Sequence, residues 1–451
     1  MKAIETFIID AANFMWGTPL LILLMGGGIF FTIYSGFLPF RYLKHTIDIL
    51  RGKVDESGGE GEISHFEALS GHLAATIGMG NISGVAVAIA TGGPGAIFWM
   101  WVSAFFGMST KFFTCTLAVM FRGKDSSGNL QGGPMYVIME GMGKNWKPLA
   151  ALFAVAGFFG ATPIFQANQI VQVTKDVLLA PYGFIGDDFM TSLLLGLLIT
   201  ALTAVVIFGG IKRIGSVAGK LVPLMVVLYV GSVIFIMLKN YTEIIPNLML
   251  IISDAFTAEA ALGGAVGALI IAGARRAAFS NEAGIGTAPM MHGAARTNEP
   301  VREGLVAMIG PLVDTIVICT MTGLSILITG VWKMGNDNGI TLTARAFESA
   351  IPGIGPIILV LCVLIFAFTT LFGLSYYGKK CLSFLIGAKH GAYFNYWYII
   401  LIVIGSVSSL AVVVSFIDFM YATMAIPTMI SAIYLAPKVL KEAKRYFRTI
   451  D

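Results

Sequence analysis

LSGHLAATIGMGNISGVAVAIATGGPGAIFWMW, residues Leu69–Trp101, is the stretch whose reading decides the fold. It is apolar enough to cross a bilayer, yet Gly78-Met79-Gly80-Asn81 falls near its middle and Gly92-Gly93-Pro94-Gly95 ends it. Glycine costs about 1 kcal/mol per helical position relative to alanine. Bare backbone polar groups cost more in lipid, so such a break is tolerated only where it lines a cavity. The stretch predicts a discontinuous helix that holds a small solute halfway across a membrane.

The rest of the chain agrees. Of 451 residues, 57% are hydrophobic and 12% charged, whereas a soluble domain is roughly a quarter charged. Apolar runs of about 20 residues match the length needed to span hydrocarbon and do not alternate as barrel strands do. An all-α polytopic membrane protein is expected, embedded in the lipid bilayer of the inner or plasma membrane. MKAIETFIIDAANFMWG has neither a basic n-region nor a small-residue cleavage site, so no cleaved signal peptide is expected. Cys115, Cys319, Cys362 and Cys381 lack CxxC spacing, which argues against zinc and disulfides. No cofactor and no nucleic-acid partner are expected.

Eleven spans are expected, near 14–36, 68–91, 95–121, 148–179, 190–209, 218–239, 259–281, 303–331, 353–377, 396–416 and 418–437. With the N-terminus outside, the inner connections carry Arg41, Lys44, Arg51, Lys53, Arg122, Lys124, Lys144, Lys147, Lys212, Arg213 and Lys220. They also carry Arg296, Arg302, Lys379, Lys380, Lys389, Lys438, Lys441, Lys444, Arg445 and Arg448, twenty-one of the 29 basic residues. Lys2, Lys175, Lys239, Lys333 and Arg345 fall outside. This asymmetry places the C-terminus in the cytoplasm. Residues 1–67 form a leading span and a polar linker lying on the membrane surface. Residues 68–239 and 240–437 form two five-helix repeats of opposite orientation, and 438–451 a basic tail. The first span of each five is glycine-interrupted, by Gly78 and Gly80 and by Gly263, Gly264, Gly267 and Gly273. Paired interrupted helices mark a transporter's binding site; the alternative is close helix packing on small residues. The second break is expected at Ala272-Gly273-Ala274.

GGPGAIFWMWVSAFFG (92–107) resembles the signature of the sodium:alanine/glycine symporter family, also described as alanine or glycine:cation symporters. IGMGNISGVAVA, QGGPMY (131–136), FSNEAGIGTAP (279–289), DTIVICTMTG (314–323) and FTTLFGLSYYGKKC (368–381) extend the resemblance over nearly the whole chain. It implies the leucine-transporter fold, two inverted five-helix repeats plus one leading span. It also implies sodium-driven import of small neutral amino acids, chiefly alanine and glycine, by alternating access.

Those expectations assign residues. Backbone N–H groups of Met79, Gly80 and Asn81 would receive the substrate carboxylate at a helix N-terminus, with Thr76 beside them. Carbonyls freed at Ala272, Gly273 and Ala274 would accept from its ammonium. Gln166 would reach the substrate, while Asn168 and Gln169 have interhelical bonding as the competing role. Aligned on the fold's sodium site, Thr369 and Thr370 would supply hydroxyls, and Ala74, Ile77 and Phe366 carbonyls. Back-bonding of each threonine to its own helix is the alternative. Intramembrane charge is a functional hypothesis by default. Asp314 and Arg275, with Arg276 and Glu282, are expected either to gate the inner side or to hold the bundle. Lys220 is the residue whose ammonium would replace sodium in a proton-coupled variant. Two positions depart from the family pattern, Met79 for a small Thr and Leu374 for a Trp. The alternative they point to is a larger neutral side chain such as glutamine. Channel filters and enzyme motifs such as HExxH or GxSxG do not occur, so no catalytic residues are expected.

Overall fold

The structure is a computed structural model that describes residues 2–54, 59–184, 188–256, 265–334, 339–448 and 450. Its elements follow the apolar runs. The chain begins with α1 (Lys2–Met15) and α2 (Thr18–Tyr34), bent by 47°. The first interrupted span is α3 (His65–Thr76) and α4 (Met79–Gly92), bent by 44°. Then come α5 (Gly95–Met120), α6 (Lys147–Gly160), α7 (Ile164–Val173), α8 (Asp188–Ile207), α9 (Gly210–Lys239) and α10 (Tyr241–Asp254). The second half holds α11 (Ala265–Asn281), α12 (Thr287–His292), α13 (Pro300–Ile328), α14 (Ile340–Ala350), α15 (Gly355–Ile386), α16 (Phe394–Val407) and α17 (Leu410–Phe447). One two-stranded hairpin, β1 (Gly123–Lys124) and β2 (Leu130–Gln131), closes the loop after α5.

Among the described residues, six helices are long and apolar enough to cross a membrane, or nine spans if each of three bent pairs counts as one. By this measure up to nine of the eleven expected spans are found. The shortfall falls on α16, which is short, and α11, whose predicted start at 259 lies outside the described residues. α8 shows a stripe of exposed Leu194, Leu197, Leu198, Leu202 and Val205, an apolar face that suits lipid rather than water. α3, α5, α11, α13 and α15 are buried around the first break, with Phe112, Phe113 and Phe366 at 0–1% exposure.

Three boundaries differ from the sequence reading. An additional helix, α1, precedes the leading span. The polar linker does not simply lie on a surface: Gly59 to Ile63 run against residues 294–297, with an isolated parallel bridge between Ile63 and Ala295. Gly61 adopts φ +142°, and a side chain there would strike the Ala295 carbonyl, so only glycine fits. Finally, the break between the last two spans lies at Ser408-Ser409, and α17 runs unbroken past Pro427 and Pro437 to Phe447. The separate basic tail is largely the end of this helix.

Candidate functional site

The first break is built by one side chain. α3 starts with a capping box, in which Ser64 Oγ accepts from the Glu67 N–H and the Glu67 carboxylate accepts from the Ser64 N–H. At the other end Ile77 turns extended, at φ −69° and ψ 96°. The Gly78 N–H would continue the ladder onto the Ala74 carbonyl. It donates instead to Asn81 Oδ1 at 3.0 Å, which leaves the Ala74 carbonyl outside the ladder. Asn81 Nδ2 then donates to the Asp314 carbonyl at 3.0 Å and to Ser280 Oγ at 3.3 Å. One asparagine both opens the helix and ties the opening to α11 and α13. Met79 is fully buried; the Thr76 hydroxyl is spent on His72 O at 3.1 Å.

α15 lies directly on this opening. A Cβ at Gly78 would run into Thr370 Oγ1, and one at Gly373 would meet Ala75. Thr370 Oγ1 is buried without a hydrogen-bond partner, an expensive state for a hydroxyl. Thr369 Oγ1 donates to the Phe366 carbonyl at 2.9 Å, the back-bonded role, though its oxygen keeps acceptor capacity. The segments carrying Ala74, Ile77, Phe366, Thr369 and Thr370 are therefore brought together, and their donor set is all oxygen. Leu374 is buried one turn beyond Thr370.

The second break is not where the glycines suggested. α11 runs without interruption through Ala272, Gly273 and Ala274. A Cβ at Gly273 would lie 2.8 Å from the Ala96 carbonyl and against Trp99, so this glycine serves close packing of α11 on α5. Gly263 and Gly264 lie outside the described residues. The helix ends at Asn281, and Glu282 to Gly286 are non-helical, with Glu282 at φ +56° and Gly286 at φ +108°. A left-handed glutamate is strained. It is held by the Tyr421 hydroxyl, donating at 2.9 Å, and by Thr287 Oγ1. The opening device repeats the first: the Ala283 N–H donates to Asn281 Oδ1 at 2.9 Å rather than to the Phe279 carbonyl four residues back. That carbonyl faces the first break, 3.2 Å from where a Cβ on Gly80 would stand.

The three amides of α7 divide. Asn168 Nδ2 donates to Ser408 O at 2.7 Å and Gly405 O at 3.2 Å, and Gln169 bonds Ser83, Asn168, Gln172 and the Ile340 N–H. Both are interhelical ties. Gln166 Oε1 is buried with no hydrogen-bond partner.

The expected Asp314–Arg275 pair does not form. Arg275 and Arg276 both meet Asp418 of α17, Arg275 at 2.7 Å. Trp16 Nε1 donates to the Asp418 carbonyl at 2.9 Å, and Arg275 also reaches Asn13 at 3.0 Å. The arginines belong to α11, on the opposite side of the break from the one expected, and Arg276 covers the Phe279 ring at 5.3 Å. Asp314 instead accepts from Ser280 and Thr315. Lys220 is exposed on α9, whereas Thr369 and Thr370 are buried. Asp418 escaped the sequence reading because residues 416–418 looked like an interhelical junction. Lys111, buried at 1% exposure in mid-α5 against His72, escaped it too. An intramembrane lysine was its available signal.

At the face carrying Arg122, Arg296 and Lys380, hereafter the basic face, backbone carbonyls are gripped by cations. Arg122 donates to Gly293 O at 2.7 Å, Glu60 O at 2.9 Å, Thr297 O at 3.2 Å and Ala295 O. Lys380 donates to Met290 O at 2.7 Å.

The chain is similar to known proteins over nearly its whole length. The chain is 41% identical to a sodium/alanine symporter of Methanococcus maripaludis, over 96% of this chain and 95% of that one. It is 37% identical to a probable sodium/glutamine symporter of Bacillus subtilis, over 99% and 92%. Among solved structures, MhsT in complex with L-phenylalanine superposes with a TM-score of 0.61 at 14% identity, covering 86% of this chain and 99% of that one. This likeness assigns the leucine-transporter type of fold. Residues 1–451 match the sodium:alanine symporter family, whose members are transporters rather than enzymes. The chain belongs to the sodium:alanine symporter family.

Proposed function

We propose that this protein is a secondary active symporter that imports a small neutral amino acid, alanine or glycine in the first place, driven by sodium. The observation that carries the reading is the meeting of two helix breaks, each opened by an asparagine, beside an unpartnered threonine hydroxyl. Met79 and Gly80 N–H groups at the start of α4 receive the substrate carboxylate. The Phe279 carbonyl, rather than those of Ala272 to Ala274, accepts from its ammonium. Gln166 Oε1 is a second acceptor facing no protein donor. Sodium takes Thr370 and Thr369 hydroxyls with Ala74, Ile77 and Phe366 carbonyls, neutral oxygens suited to a hard monovalent cation. The two inverted five-helix repeats and the leading span make eleven spans, with the N-terminus outside and the C-terminus in the cytoplasm of a cell membrane. The basic face is then the cytoplasmic one.

Purified protein in liposomes should accumulate labelled alanine against its gradient when sodium is high outside, and equilibrate it when potassium replaces sodium. Sodium-independent, proton-driven accumulation would overturn the ion assignment. Leu374, where the family pattern has Trp, and the glutamine relative support a second reading, a pocket for a larger neutral side chain. Competition of labelled alanine uptake by unlabelled amino acids separates the two. Displacement by alanine and glycine alone removes the larger pocket.

A further inference from the structure

We propose that His65, Glu303 and His292 form a proton-binding site, loaded from the basic face, whose occupancy holds that face closed. These residues are distinct from those assigned to substrate and sodium, so the inference goes beyond the symport reading. It takes from that reading only that the basic face opens to release substrate.

The site is built from three elements. His65 opens α3, His292 ends α12, and Glu303 lies in the first turn of α13. All three are at 0–1% exposure. One carboxylate is shared: Glu303 Oε2 meets His65 Nδ1 and Oε1 meets His292 Nδ1. While both imidazoles are neutral, each must carry its proton on Nδ1 to donate to the carboxylate. Nε2 of His292 is then a bare acceptor, and it is buried without a hydrogen-bond partner. In that state the triad holds one net negative charge in a dry interior, which is costly. One added proton converts His292 to an imidazolium bonded to Glu303, a neutral and charge-assisted pair.

Other titratable groups face the triad from neighbouring elements. From α3, His72 lies with its ring 5.5 Å from His292, and its Nδ1 meets Tyr377 of α15 at 3.3 Å. From α5, Lys111 is directed onto His72 and shares its charge with Asp314 and Glu282. Cys115 and Arg122 of the same segment also face Glu303, while Arg122 is occupied by four backbone carbonyls.

In this proposal the proton enters through His65. A cleft of about 430 Å³ is lined by Ile49, Leu50, Arg51, Ser64 and Phe66, and of the triad by His65. Beyond His292 the next groups are the buried His72 and Lys111. The triad is then loaded at the pH of the basic face, where His65 borders the cleft.

Coupling to transport follows from which elements it joins. α3 and α12 are the basic-face halves of the two broken helices. When that face opens, water reaches Glu303 and the bare carboxylate is no longer penalised. The closed form thus binds the proton more tightly than the open form, so acid on this side favours closure and alkali favours opening.

Two measurements test this. Sodium-driven alanine uptake is compared in liposomes whose interior is buffered about one pH unit below or above a fixed exterior. Uptake should slow on the acid side by up to about tenfold per unit, the limit for one proton. Glu303→Gln, which keeps a hydrogen-bonding group but no charge, should flatten that dependence and keep the sodium requirement. Equal interior-pH dependence in wild type and Glu303→Gln would overturn the proposal. The second measurement does not need transport. The chain has only five histidines, so ¹⁵N-histidine spectra in nanodiscs can follow each. His65 and His292 should take up one shared proton, a titration lost in Glu303→Gln. Imidazoles that stay neutral throughout, or titrate unchanged in that variant, would overturn it.

Discussion

At the scale of single residues, the two threonines of α15 are chemically alike and structurally unequal. Thr369 has spent its proton on the Phe366 carbonyl, whereas Thr370 is buried without a partner and touches Gly78 at the break. A hydroxyl left unpaired costs about 1–3 kcal/mol unless an ion or ligand takes it. If sodium is that partner, Thr370→Val should raise the sodium concentration for half-maximal uptake by about tenfold, or about 1.4 kcal/mol, with alanine affinity at saturating sodium little changed. Thr369→Val should shift it less. A sodium titration of uptake in liposomes checks both, and equal shifts would show that the hydrogen bond to Phe366 does not distinguish the two oxygens.

At the scale of elements, the glycines mark one helix break and mislead about the other, for one physical reason. A glycine inside an apolar helix reports either a weakened ladder or a close neighbour, and composition does not tell them apart. Gly78 does both: it ends the ladder and leaves room for Thr370. Gly273 serves only packing against Trp99 and Ala96. The true second opening uses Asn281 and a left-handed Glu282, residues with no breaking signature of their own, within a motif read only by resemblance. The amides of α7 were legible as polar groups on a buried helix, but which one stays unpaired depends on α16, α14 and Ser83, which no local pattern reveals. Asp418 was hidden because α17 begins earlier than its hydropathy suggests. The corrected break makes a contrast that can be measured. Gly273→Ala overpacks the α5–α11 contact and should cost about 1–3 kcal/mol of stability, seen as a lower melting temperature, with substrate and sodium affinities unchanged. Gly286→Ala forces a side chain onto a backbone at φ +108° facing Phe153, Thr428 and Pro134 and should reduce alanine binding as well. Binding loss in Gly273→Ala without destabilisation would return the break to Gly273.

At the scale of the molecule, the described residues are latched on both sides of the breaks by different chemistry. On one side Arg275 and Arg276 converge on Asp418, with Trp16 and Asn13 of the leading segment closing over them. On the basic face, Arg122 binds four backbone carbonyls of the 59–63 and 293–297 segments. The first latch is a partly buried ion pair, whose loss strands a charge and is strongly destabilising. The second consists of hydrogen bonds from a cation to neutral carbonyls, which water can replace when the face opens. Its removal should therefore shift a conformational balance rather than unfold the protein. Arg122→Ala should favour the state open at the basic face. All four native cysteines are buried, which suits a labelling assay with one reporter, Met291→Cys, on α12 at 9% exposure. In the Arg122→Ala background a water-soluble maleimide should label this cysteine about tenfold faster, a population change of about 1.4 kcal/mol, while alanine uptake persists at a lower rate. Labelling no faster than in the parent would mean that the carbonyl cage anchors the loop without closing a gate.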